Sequence, residues 1–221
     1  MTNLIICPTI TAFDDDSYSR QIDNITSFAS RIHIDLMDGA FTKSKSPELA
    51  RVWWPEFLMA DIHLMFQEPT KELDTLIRLK PNLVIVHFEA SLAHKDFTTK
   101  LHENNIKCGI AINQTTGVDQ IKDIAEYYDH ILIFSGHLGY HGGSADLELL
   151  DKVKQTRSLY PDKELSWDGG VNDQNAKAIA DSGVNVLNVG SFIQDSNNPE
   201  NAYDKIEKSL LWLIYHSNNW K

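Results

Sequence analysis

The chain has 221 residues, and 20 Lys and Arg against 31 Asp and Glu leave a formal net charge of −11. Such an acidic balance excludes a nucleic-acid groove or an anionic membrane as the main partner, because both require a basic face. Apolar residues at 42% and charged residues at 23% are ordinary globular usage and exclude wholesale disorder. Cys7 and Cys108 are too few for a disulfide scaffold and fit a reducing compartment. No run approaches the ~18 apolar residues of a membrane span. The start of the chain lacks the basic flank of a signal peptide, so a cytoplasmic location is expected.

Taken in chain order, the sequence predicts strands at 4–10, 32–37, 61–66, 83–88, 107–113, 130–135, 164–169 and 186–190. Each gap leaves room for one helix and two short loops. Apolar residues at helical spacing fill several gaps, as in Ile22, Ile25 and Phe28, or Leu73, Leu76 and Ile77 with Pro81 just beyond. Leu147, Leu150 and Val153 form a similar stripe. Asn172 or Asp173 can cap a helix carrying Ala176, Ile179 and Ala180, with Gly183 at its end. A last helix is expected after Pro199, through Leu210, Leu211, Leu213 and Ile214. Eight βα units without a linker predict an α/β fold, a single (β/α)8 TIM barrel domain over residues 1–221. A doubly wound open sheet would leave two or three of the strands unexplained.

Such a barrel carries its chemistry at the C-terminal ends of its strands. The period-two rule puts His33 and Asp35 on one face of the second strand and His63 and Met65 on one face of the third. Asp168 ends the seventh strand, with Trp167 facing the other way. Two imidazoles and two carboxylates converging at one end of the barrel suit Zn²⁺, Fe²⁺, Mn²⁺ or Co²⁺. Each pattern alone is common without a metal; their placement at equivalent strand ends gives the set its meaning. Glycines follow three successive strands, in Gly139-Tyr140-His141-Gly142-Gly143, Gly169-Gly170 and Gly190-Ser191. Ordinary turns also use glycine, but three such loops on one side of the barrel point to a phosphate held by backbone N–H groups.

These residues resemble the ribulose-phosphate 3-epimerase family over nearly the whole chain. His33-Ile34-Asp35-Leu36-Met37-Asp38-Gly39 is similar to the family's His-Val-Asp-Val-Met-Asp-Gly, and Asp61-Ile62-His63-Leu64-Met65 to its Asp-Val-His-Leu-Met. Cys7-Pro8-Thr9-Ile10, His87-Phe88-Glu89-Ala90, Gly109-Ile110-Ala111-Ile112-Asn113 and Asp168-Gly169-Gly170-Val171 fit the first, fourth, fifth and seventh strands. The resemblance implies a barrel of the ribulose-phosphate-binding type. In it His33, Asp35, His63 and Asp168 hold one divalent metal, and Asp35 and Asp168 are the acid/base pair. It also implies that Thr9 and His63 contact the substrate, and that Gly139, Gly142, Gly143, Gly169, Gly170, Gly190 and Ser191 surround the phosphate.

The implied reaction inverts C3 of D-ribulose 5-phosphate to give D-xylulose 5-phosphate, a step of the pentose phosphate pathway. One carboxylate removes a proton, the other returns one to the opposite face, and the metal stabilises the enediolate's charge. Two segments depart from the family pattern. In the loop after the sixth strand, Leu138-Gly139-Tyr140-His141-Gly142-Gly143 stands for Pro-Gly-Phe-Gly-Gly-Gln; Ala40-Phe41-Thr42-Lys43-Ser44 stands for His-Phe-Val-Pro-Asn. Both belong to the expected substrate lid, so D-allulose 6-phosphate is an alternative substrate. A decarboxylase or aldolase of related barrels is disfavoured because the second strand lacks their lysine. A sugar-phosphate-binding barrel without turnover would not need two opposed carboxylates. The expected partner is a small phosphorylated ketose; a homo-oligomer stays open. Trp53-Trp54-Pro55 can mark a subunit contact, but burial against the barrel is the expectation. His94, His102, His130 and His216 are read as surface or local hydrogen-bonding residues.

Overall fold

The computed structural model describes residues 4–211. Eight parallel strands close into a barrel in chain order. They are β1 (Ile5–Thr11), β2 (Arg31–Met37), β3 (Met59–Met65), β4 (Leu83–His87), β5 (Lys107–Ile112), β6 (His130–Phe134), β7 (Glu164–Asp168) and β8 (Val186–Val189). All eight expected strands are present with only their ends displaced. The helices are α1 (Asp15–Ile25), α2 (Leu73–Leu79), α3 (His94–His102), α4 (Leu150–Leu159), α5 (Ala176–Asp181), α6 (Ser191–Gln194) and α7 (Pro199–Leu211). Leu213, Ile214 and His216 lie outside the described residues.

Two units differ from the strand-then-helix expectation. A single 3-10 turn, Leu49–Arg51, follows β2, and two such turns, Val118–Ile121 and Ala125–Tyr127, follow β5. Pro47 and Pro55 interrupt the first segment, and Pro supplies no backbone donor for a helix. The second opens with Thr115, Thr116 and Gly117, all poor helix formers. Leu147 also falls in a 3-10 turn and is exposed, so the buried stripe of α4 begins further on.

A closed parallel sheet covered by helices buries both faces of its strands, which explains their nearly continuous apolar runs. Every residue of β2, β4, β6 and β8 is buried. Outward residues such as Ile34, Ile62, Ile110 and Trp167 join Ile22, Leu76, Phe97 and Val153 of the helices in one large core. Inside the barrel a smaller group, Leu83, Ile85, Ala111, Leu132 and Phe134, fills the middle.

The N-terminal end of the barrel is closed by charge rather than by hydrocarbon. Arg31 donates through Nε to Asp61 at 2.7 Å and forks onto Glu164 at 2.8 and 2.7 Å. His130 bridges Glu164 at 2.8 Å and Ser166 at 2.7 Å. Of the two expectations for His130, hydrogen bonding holds and surface exposure does not: it is buried, because the alternation of β6 turns it into the barrel. Partial burial pushes the Glu164 carboxyl up, but hydrogen bonds from Arg31 and His130 outweigh this and hold it well below its ordinary 4.5. The native state therefore binds this proton less readily than the unfolded chain. The associated stability is present above pH 4.5 and is lost as pH falls through and below that value.

Arg31→Ala strands a buried carboxylate and should cost about 3–5 kcal/mol in urea unfolding. Glu164→Gln should flatten the loss of stability with acid, measured as urea midpoints between about pH 6 and pH 3.

Candidate active site

Strand register assembles the site at the opposite end. Thr9 stands opposite His33 and Thr11 opposite Asp35, while Asp35 stands opposite His63. Asp168, the last residue of β7, faces Phe134 on β6 and Asn188 on β8. The four residues singled out in the sequence meet: one donor atom from each of His33, Asp35, His63 and Asp168 lies within 4.8 Å of the others, and all four residues are buried. His63 Nδ1 is 2.9 Å from Asp35 Oδ1 and 3.8 Å from Asp168 Oδ2. His33 Nε2 is 3.3 Å from Asp35 Oδ1 and 3.6 Å from Asp168 Oδ2.

Both ring nitrogens of His33 and the Oδ2 of Asp168 are buried without a hydrogen-bond partner. Orphaned polar atoms of this kind cost about 1–3 kcal/mol each. Two nitrogen donors and two carboxylates aimed at one another at this spacing fit a divalent cation, which would satisfy them together.

The two carboxyl groups occupy different electrostatic environments. Burial pushes Asp35 up, but the adjacent rings of His33 and His63 outweigh it and hold the group well below the usual carboxylate range. At Asp168, burial and the neighbouring negative charge of Asp35 act together and push the group up. Burial brings the His63 ring down to about 4 against the pull of Asp35, so it is neutral at pH 7. The two carboxyls are thus driven in opposite directions, the pattern that can set a base beside an acid.

Thr11, which the sequence reading passed over, donates its hydroxyl to Asp35 Oδ2 at 2.8 Å. The signal was available: Thr11 lies two residues beyond Thr9 and so shares its face. Thr9 Oγ1 is buried and has no partner. Both threonines line a cavity above the cluster, together with Asp35, Asp168, Met65 and Phe134 below and Gly139, His141, Gly142, Gly169, Gly170, Gly190 and Ser191 around the walls. His33 and His63 do not line the cavity and are fully buried. Gly143 faces an adjacent cleft with Asn172, Phe192 and Asp195.

Some of the glycines have a reason independent of any ligand. A Cβ on Gly169 would stand 2.2 Å from Gly136 N, and one on Gly170 2.0 Å from Ala145 N. Those residues are fixed by the close approach of the loops after β6 and β7. The two segments that depart from the family pattern touch each other: a Cβ on Gly139 would be 2.9 Å from Cβ of Thr42. His141 Nε2 reaches the Asp195 carboxylate at 3.0 and 3.1 Å, tying the loop after β6 to the chain after α6. Trp53 is 46% exposed, so its expected burial is not found.

Fold and site together define a (β/α)8 barrel with a buried His/Asp cluster at the C-terminal ends of its strands. The profile of the ribulose-phosphate 3-epimerase family matches residues 5–194, and the chain belongs to that family. The ribulose-phosphate 3-epimerase of Schizosaccharomyces pombe is 27% identical over 218 residues, covering 96% of each chain. That of Bacillus subtilis is 27% identical over 214 residues, covering 92% of this chain and 98% of its own. Among solved structures, 3-hexulose-6-phosphate synthase from Salmonella typhimurium superposes with a TM-score of 0.73 at 14% identity, over 95% of this chain and 99% of its own. Orotidine 5'-monophosphate decarboxylase from Sulfolobus solfataricus gives 0.67 at 13% identity, over 96% of this chain and 100% of its own. At such identities the structures speak for the barrel; the family match speaks for an epimerase. Among the described residues no helix is long and apolar enough to cross a membrane.

Thr11→Val removes a hydrogen bond to a charged group worth about 1.5–3 kcal/mol. The acid limb of the pH–kcat/KM profile should move up by about one to two units, since one unit corresponds to about 1.4 kcal/mol.

Proposed function

We propose that the chain inverts C3 of a phosphorylated ketose, converting D-ribulose 5-phosphate to D-xylulose 5-phosphate as a cytoplasmic step of the pentose phosphate pathway. The whole chain is read as one barrel domain. The observation that carries this reading is the pair Asp35 and Asp168 at the cavity floor, with surroundings that favour the anion at one and the protonated acid at the other. The names of the family and of its curated relatives agree with it.

Asp35, held as the anion, accepts the proton from C3. Asp168 returns one to the opposite face, and the two exchange roles in the reverse direction. Thr11 keeps the Asp35 carboxylate oriented through its 2.8 Å hydrogen bond. The free hydroxyl of Thr9 is offered to the substrate's oxygens. A divalent cation held by His33, Asp35, His63 and Asp168 would supply positive charge beside the enediolate oxygens. Zinc, iron, manganese and cobalt all suit this donor set. Backbone N–H groups around Gly142, Gly170, Gly190 and Ser191 receive the phosphate, with Gly139, Gly143 and Gly169 shaping the loops beside it. This needs no lysine or arginine, consistent with a net charge of −11.

A six-carbon ketose phosphate is the second reading. It is favoured by the imidazole of His141, which stands at the cavity wall and is braced by Asp195. The test is proton NMR of the metal-supplemented protein with ribulose 5-phosphate in D₂O. Xylulose 5-phosphate carrying deuterium at C3 is the expected product. Asp35→Asn and Asp168→Asn should each lower the rate by about 10²–10⁴-fold. Absence of both exchange and product, with metal shown to be bound, would overturn the pentulose assignment and direct the assay to allulose 6-phosphate. Chelation should abolish turnover, and restoring single metals in turn should identify the working ion.

A further inference from the structure

A second ring lies against His63. His87 closes β4 and is fully buried, its ring centroid 4.9 Å from that of His63 with the planes 28° apart. The two Nε2 atoms are 2.8 Å apart. Two neutral imidazoles at that distance share one proton: with two the rings repel, and with none the lone pairs do. Only one of the two Nε2 atoms is therefore protonated.

The outer nitrogens then decide which. His63 Nδ1 faces Asp35 Oδ1 at 2.9 Å, and His87 Nδ1 stands 3.4 Å from Glu89 Oε2, close enough to feel its charge but without a hydrogen bond to it or to any other group. A proton on His63 Nδ1 forces the shared proton onto His87 Nε2 and leaves a bare His87 Nδ1 against Glu89. A proton on His87 Nδ1 forces the shared proton onto His63 Nε2 and leaves His63 Nδ1 bare, with its lone pair directed at the cluster. The pair carries two ring protons in both arrangements, so the change is a shift of position without gain or loss of charge.

Glu89 is held in place to bias this choice. Thr116 Oγ1 donates to Glu89 Oε1, and the Asn113 N–H approaches the same oxygen at 3.4 Å. Partial burial pushes its carboxyl up, but the contacts with His87 and Thr116 outweigh it and keep the group below its ordinary value, as an anion. A metal-binding histidine must offer a bare nitrogen, and its other nitrogen is usually fixed by a neighbouring group.

We propose that Glu89 is a positioning residue which, through His87, fixes the tautomer of His63 that presents a bare Nδ1 to the divalent cation. The inference rests on the reading above that His63 helps to hold such a cation. It adds a role for two residues that touch neither the substrate cavity nor the metal cluster's donor atoms directed at the cation. In a site without the cation, Asp35 competes for the opposite arrangement; binding of the cation settles the contest in favour of Glu89.

The test is long-range proton–nitrogen NMR of protein labelled with ¹⁵N-histidine, recorded with and without Zn²⁺, beside a Zn²⁺ titration by calorimetry. In the zinc-loaded wild type, His63 should be protonated at Nε2 and His87 at Nδ1. Glu89→Gln preserves size and an oxygen for Thr116 but removes the charge, and should weaken Zn²⁺ binding by about 10-fold or more. It should also return part of the His63 signal to the Nδ1–H form. A residue with a merely structural role would leave the tautomers and the affinity of Glu89→Gln as in the wild type, and that result would overturn the proposal. A zinc-loaded wild type with His63 protonated at Nδ1 would do so as well, even if no variant folds. Failure of the wild type to bind Zn²⁺, Fe²⁺, Mn²⁺ or Co²⁺ would instead remove the metal reading on which the proposal rests.

Discussion

Placing two carboxylates side by side out of water is the demand around which this barrel is arranged. An unpaired charge in such a setting is expensive, and a second like charge nearby makes it more so. The structure meets the cost unequally. Asp35 has the Thr11 hydroxyl on one oxygen and the His63 ring against the other, and is held well below the usual carboxylate range. Asp168 is buried beside that charge with one oxygen unsatisfied, and is driven toward its protonated form. The asymmetry sets two carboxyls of opposite tendency within a single small cavity. It requires side chains from β1, β2, β3 and β7 at fixed heights, which only a closed sheet can hold.

The two ends of the barrel solve the same electrostatic problem in opposite ways. At the N-terminal end, Arg31 supplies the cation permanently, and Asp61, Glu164, His130 and Ser166 complete its hydrogen bonds. That end is satisfied and has a structural role. At the C-terminal end no arginine or lysine enters the cluster among the described residues, and the orphaned atoms of His33 and Asp168 remain. A polar network satisfied at one end and incomplete at the other marks where a cation and a substrate belong.

The loops above the site behave as one unit. The segment after β2 and the segment after β6, the two places where this chain leaves the family pattern, pack together through Thr42 and Gly139. A side chain at Gly139 would meet Thr42, so each segment limits what the other can hold. His141 adds a tie to Asp195, so the loop after β6 is secured to the chain after β8 as well as to the loop after β2. These contacts form the rim of the cavity, above Asp35 and Asp168 at its floor.

Much of the fold was legible because its signals are local. Short β-rich runs with room for a helix between them predict eight strands, and period-two alternation on 33–35 and 61–65 predicts which side chains face inward. The helical expectation failed after β2 and β5, where prolines and a Thr-Thr-Gly run override the repeat. Two other features were decided only by tertiary structure. His130 reads as an isolated polar residue until the register of β6 and β7 sets it against Glu164 and Ser166. His87 and Glu89 sit in a segment that fits the fourth strand, and Thr11 shares the face of Thr9, but the groups each one meets come only from strand pairing and packing. Sequence alone determined which residue types face the barrel interior, because alternation is a property of one strand. Who meets whom across that interior is a property of register and closure, and no single strand contains it.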